Sequence, residues 1–192
     1  MDAVPDRITG FLKTLTITQG PEAGNPFEVL PWQSEFIAGA FAPDVNDAGL
    51  TVARGNGKTS LLAGIALATV AGPLRQARAE TVIVAASFEQ AALLFDTALA
   101  YGNPLMSPLY YRVLNSQNKR VIEHRPTGAR CRVLASDPRR AHGIAPALIL
   151  ADEPAQVVRR VALNVGAPGH GSQKPREPMI RSRRAGAERD KA

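Results

Sequence analysis

The sequence predicts an α/β fold, a mostly parallel sheet with flanking helices. Three observations predict it: strands and helices alternate through residues 49–100, the apolar runs at 81–86 and 147–151 lack polar alternation, and a Gly-rich turn joins a short strand to a helix at 55–57. Alternation of strand and helix favours parallel strands joined by crossover helices. An apolar run without alternation is the mark of a strand buried on both faces.

The elements follow in order. Residues 1–30 contain an amphipathic turn around Ile8, Phe11 and Leu12, then break at Gly20-Pro21 and Gly24-Asn25-Pro26, so they read as a lead-in rather than as core. A helix starts after Pro31, with apolar positions 32, 36, 37, 40 and 41 at helical spacing, and Pro43 stops it. A strand at 49–53 leads into Arg54-Gly55-Asn56-Gly57-Lys58-Thr59-Ser60, followed by a helix over 60–71 that closes at Gly72-Pro73. The strand at 81–86 is followed by Ser87, a helix cap, and by a helix over 88–100 with Ala91, Leu94, Phe95 and Leu99 on one stripe. Residues 111–134 alternate more loosely, with strands at 121–123 and 129–134 around Pro126-Thr127-Gly128. The run 147–151 is the last clear strand and ends directly on Asp152-Glu153; residues 166–192, rich in Gly, Pro, Arg and Ser, are assigned no fold.

Composition sets the outer limits. At 192 residues, with 45% apolar, 21% charged and 5% aromatic side chains, the chain suits one globular domain and excludes disordered, collagenous and membrane-spanning classes. The longest apolar run, 61–71, is interrupted by Gly64 and too short to cross a bilayer. With Asp2 and Asp6 the N-terminus carries no export signal, and the lone Cys131 has no disulfide partner or metal-ligand set, so the expected setting is a reduced cytoplasm. Basic side chains concentrate toward the C-terminus: two of them against seven acidic ones in residues 1–50, but nine against three in 154–192. Such a tail attracts a polyanion such as nucleic acid through counterion release, or is simply solvated.

The clearest chemistry lies at Gly57-Lys58-Thr59. Glycines let successive backbone N–H groups converge, and the following helix N-terminus adds partial positive charge, so the turn can cradle triphosphate oxygens. Lys58 would neutralise the β and γ phosphates, the Thr59 hydroxyl would ligate Mg2+, and Gly55, Asn56 and Ser60 complete the loop. The full phosphate-loop pattern has a glycine five positions before Gly57, where this chain has Val52. An ordinary turn is the competing reading. Asp152 at the end of a buried strand can hold the magnesium shell, and Glu153 beside it can polarise an attacking water. Parallel strands bring both loops to one sheet edge, where they can face each other across a nucleotide. Arg54 could reach the terminal phosphates or lie on the surface; Gln33 could read an adenine edge through its amide with Trp32 packed nearby; His142 has no metal or triad spacing.

In this order these segments resemble the N-terminal ATPase domain of the large terminase subunit of tailed bacteriophages, the motor that packages DNA into a capsid. Pro31-Trp32-Gln33-Ser34-Glu35-Phe36-Ile37 is similar to that family's adenine-recognition segment, and Ala53-Arg54-Gly55-Asn56-Gly57-Lys58-Thr59 to its deviant phosphate loop, which lacks the first glycine and carries a basic residue. Residues 84–91 resemble the strand-to-helix segment that follows, and 142–153 the approach to the Walker B acids. The resemblance covers about residues 28–156. It implies a P-loop NTPase fold of the additional-strand (ASCE) type, incomplete at the C-terminal side, with ATP and Mg2+ as cofactors. It assigns Lys58 and Thr59 to phosphate and metal, Arg54 to an internal arginine finger, Asp152 to the metal and Glu153 to water activation. It implies double-stranded DNA, a small terminase subunit and the capsid portal as partners, with no membrane and a homo-oligomer left open.

The domain reading is therefore a lead-in over 1–30, a partial P-loop ATPase domain over 31–156, and a disordered basic tail over 157–192. Nothing after Pro154 resembles the coupling segment, a Thr- or Ser-bearing strand end that in this fold type lies between the phosphate-loop and Walker B strands. Its loss would open the middle of the sheet, which residues 157–163 could fill only by burying Arg159 and Arg160. The expectation is a truncated or frame-shifted product whose activity on its own is open. A helicase-like P-loop ATPase and a non-catalytic basic DNA-binding remnant are the alternatives.

Overall fold

The structure, a computed structural model, describes residues 3–53, 55–134, 145–152 and 179–183. Helix α1 (Val4–Leu12) has Pro5 and Asp6 in its first turn and buries Ile8 and Leu12. Beyond it the chain doubles back, with the Phe27 N–H donating to the Leu15 carbonyl at 2.8 Å and the Ile17 N–H to that of Asn25 at 2.9 Å. Ile8, Leu12, Leu15 and Phe27 all belong to the main core. Residues 1–30 are thus not a lead-in. The reason lies elsewhere in the chain: α1 packs on helix α3 (Lys58–Ala71), and a Cβ at Gly64 of α3 would collide with the Leu12 side chain. Gly64 is the seat of Leu12. Truncating Leu12 to Ala should lower unfolding free energy by about 2–5 kcal/mol in urea denaturation; a peripheral lead-in would change it by about 0.5 kcal/mol or less.

Helix α2 (Pro31–Ala40) starts on Pro31, whose missing N–H costs nothing in the first turn. Strand β1 (Asp47–Thr51) begins two residues earlier than expected and ends before Val52. Ten consecutive residues of α3, 61–70, are buried, as befits a helix that is apolar all round. Strand β2 (Glu80–Val84) and helix α4 (Phe88–Gly102) follow, the latter capped by the Ser87 hydroxyl, which accepts the Gln90 N–H at 3.2 Å. Helices α3 and α4 pack side by side against β2 and the strands beyond it.

Those strands are β3 (Tyr111–Ser116), β4 (Lys119–His124) and β5 (Ala129–Val133), an antiparallel meander; β3, an exposed edge strand, has too few buried apolar residues to stand out in the sequence. Cys131 on β5 is fully buried, and burial pushes its thiol up to about 12, so it stays an unreactive packing group. Strand β6 (Leu148–Ala151) is buried at every position.

Among the described residues the sheet has seven strands in the order β1-β7-β6-β2-β5-β4-β3, the first five parallel and β4 and β3 antiparallel. Strand β7 (Met179–Arg183) corrects two expectations. It lies in the stretch that was assigned no fold, and it fills the slot between β1 and β6 that was expected to stand open. Ile180 is level with Ala48 on one side and Leu150 on the other, and Ser182 stands near the strand's end, level with Leu50. The backbone edges of β1 and β6 supply the driving force, since buried N–H and C=O groups there need partners whatever side chains deliver them. The expected filler, 157–163, lies outside the described residues.

Candidate active site

Between β1 and α3 the chain must turn sharply, and two glycines do it: Gly55 at φ 91° and Gly57 at φ 72°, a left-handed region that side chains with a Cβ rarely adopt. Gly57 caps α3, its carbonyl accepting the Leu61 N–H at 2.9 Å, and the helix begins at Lys58, two residues before the expected start. The first N–H groups of α3 therefore have no intrahelical partner and open, with the positive end of the helix dipole, into a cavity of about 500 Å³.

Asp152 reaches the same cavity from the other side. Its N–H donates to the Val84 carbonyl at 3.0 Å, which extends the β6–β2 ladder one residue past Ala151 and fixes the carboxylate at the C-terminal edge of the sheet. Lys58 Nζ stands 3.3 Å from Asp152 Oδ1, with both side chains mostly buried. Thr59 and Ser60 line the cavity beside them.

A second, larger cavity of about 1030 Å³ adjoins the first. Gly55, Gly57 and Ser60 border both, while Asn56, Gln33 and the segment from Lys13 to Leu30 border the second alone. Gln33 is 3% exposed, and its Oε1 accepts the Leu30 N–H at 3.0 Å. That bond turns the amide nitrogen toward the loop, where a Cβ on Gly57 would lie 3.7 Å from Gln33 Nε2. Trp32 packs against the hydrophobic core and borders neither cavity. Arg54, His142 and Glu153 lie outside the described residues.

The lining that α4 gives the first cavity, Gln90 and Leu93, is assigned no role by the sequence. Their one sequence signal is a three-residue helical spacing after a Ser cap, which puts both on one face. Beside them Glu89 is held below the ordinary carboxylate range by its own backbone N–H and by the Ser87 hydroxyl. Negative charge is favoured at the start of a helix.

No family profile matches the chain. Over 167 residues it is 32% identical to the terminase large subunit of Enterobacteria phage HK97, a match that takes in 79% of this chain and 31% of that protein. The chain is a relative of phage large terminase subunits. It spans about a third of that relative's length. Among solved structures, the HK97 bacteriophage large terminase superposes with a TM-score of 0.73 at 24% identity, over 95% of this chain and 38% of that one. The large terminase ATPase domain of Thermus phage P74-26 superposes at 0.54 and 15% identity, over 85% and 67%. The mostly parallel sheet with its glycine turn is thus the α/β fold of terminase ATPase domains, of P-loop type.

Proposed function

We propose that this chain binds and hydrolyses ATP with Mg2+, as part of a large-terminase motor that packages viral DNA. One observation carries the reading: the 3.3 Å contact of Lys58 with Asp152, at the mouth of a glycine turn and the N-terminus of a buried helix. Two opposite charges and a ring of backbone donors in one cavity are what a magnesium triphosphate needs. Magnesium takes one or two carboxylates together with substrate phosphates, and the Asp152 carboxylate and Thr59 hydroxyl, both on the cavity wall, suit it. Held by these two residues, the metal would supply positive charge against the triphosphate.

The chain's own groups divide the remaining work. On nucleotide binding Lys58 exchanges Asp152 for the phosphates, and the first turn of α3 donates its N–H groups to them. The nucleoside end extends toward Gln33 and the second cavity. Glu153 as the water-activating base and Arg54 as an internal finger are carried over from the resemblance. Because Leu12, Leu15 and Phe27 are core residues, the domain is best taken to begin at α1 rather than at residue 31. Double-stranded DNA, a small terminase subunit and a portal as partners, and the host cytoplasm as the setting, are likewise carried over from the resemblance.

Phosphate release from Mg-ATP tests the reading. Asp152→Asn should cut the rate about 100-fold or more with unchanged melting, and EDTA should abolish it. A purified, folded chain that neither binds nor hydrolyses Mg-ATP would refute the assignment.

A further inference from the structure

The two adjoining cavities have different walls, and the difference gives a bound nucleotide a direction. Gln33 and Asn56 border only the larger one, Lys58, Thr59 and Asp152 only the smaller, and Gly55, Gly57 and Ser60 both. A nucleotide laid over the glycine turn therefore places its base and sugar in the larger cavity and its outermost phosphate in the smaller. Gln90 borders the smaller one alone, on the wall formed by α4.

We infer that Gln90 donates its side-chain amide to the terminal phosphate and makes the site distinguish a nucleoside triphosphate from a diphosphate. This rests on the nucleotide reading given above. The backbone of Gln90 is the third residue of α4 and is held by the Ser87 cap. Among the described residues its amide makes no other hydrogen bond, and the side chain is exposed to the cavity. The wall is tied to the metal-side acid as well. α4 follows directly on β2, and the Val84 carbonyl at the end of β2 accepts the Asp152 N–H. A neutral amide fits this role because it donates to phosphate oxygen without the strong, undirected pull of a second lysine, so it senses the presence of one group rather than total charge.

Binding of ADP and of the non-hydrolysable triphosphate AMP-PNP, both with Mg2+, is to be measured for the wild-type chain and for Gln90→Ala and Gln90→Glu. Gln90→Ala should weaken AMP-PNP about 10-fold and leave ADP within about two-fold, the size of one hydrogen bond to a charged group. Gln90→Glu, nearly isosteric, should weaken AMP-PNP further, because a carboxylate faces the terminal phosphate, and again spare ADP. Equal losses for both nucleotides, or none, would overturn the inference. A wild-type chain that binds neither nucleotide removes the parent reading itself, an outcome separate from a selective failure of the Gln90 variants.

Discussion

Replacing Lys58 with alanine is expected to reduce ATP turnover about 100- to 1,000-fold, equivalent to about 3–4 kcal/mol of transition-state stabilisation. The ammonium of Lys58 is the one positive side chain lining the glycine-turn cavity among the described residues, and Asp152, 3.3 Å away, is the carboxylate proposed to hold the metal. Stability should change little, by about 1 kcal/mol or less, since the mostly buried pair lines an open cavity in which water can solvate the carboxylate left behind. Steady-state phosphate release and thermal melting measured on the same samples separate the two effects. Lys58→Arg is informative beside it: charge is kept, but a planar guanidinium fits a turn shaped for a compact ammonium poorly, so most of the activity should still be lost. Turnover in Lys58→Ala within about three-fold of wild type would mean that the cavity does not hold a triphosphate during hydrolysis.

Ile180→Pro should melt the protein roughly 2–12 °C lower and remove ATP turnover with it. Strand β7 stands between β1, which leads to the glycine turn, and β6, which leads to Asp152. Those two strands are therefore two interstrand spacings apart, about 9–10 Å, and β7 sets that separation. Proline cannot donate to the ladder, and its ring displaces the neighbouring backbone. A buried carbonyl left without its donor costs about 1–3 kcal/mol before any steric term, and each kcal/mol is worth about 2–4 °C in a domain of this size. Ile180→Val, which keeps the backbone donor, is the control and should behave as wild type. Melting unchanged by the proline would show that residues 179–183 are not the strand between β1 and β6.

Much of the site was readable because its signals are local. Gly57 before Lys58-Thr59 announces a turn opening a helix, and both glycines of the turn have positive φ. Leu148-Ile149-Leu150-Ala151 is apolar at every position and buried at every position, so the acid that follows it was placed at a sheet edge from the sequence alone. The Ser87 cap was likewise a one-residue signal. Gln90 and Leu93 were not readable in this way, because nothing in the composition of α4 says which of its faces meets a cavity made by β1, α3 and β6.

The two larger misreadings have one cause. Residues 1–30 contain a short amphipathic turn and several breaks, which describes a lead-in until α3 presents Gly64 as a gap for Leu12. Residues 179–183 mix two apolar residues with Arg181, Ser182 and Arg183, a poor buried strand by pattern, yet the chain places them between two strands whose edges would otherwise stand unpaired.

By itself, then, the sequence determined where the backbone turns, which helices are apolar and which side chains could carry phosphate and metal chemistry, because those properties depend on neighbours a few residues away. Tertiary structure alone decided that the N-terminal segment is core, that β7 closes the sheet, and that Gln90 of α4 borders the cavity where Lys58 and Asp152 meet. Each of those depends on a surface or a hydrogen-bonding edge supplied by a distant part of the chain, and no local pattern records it.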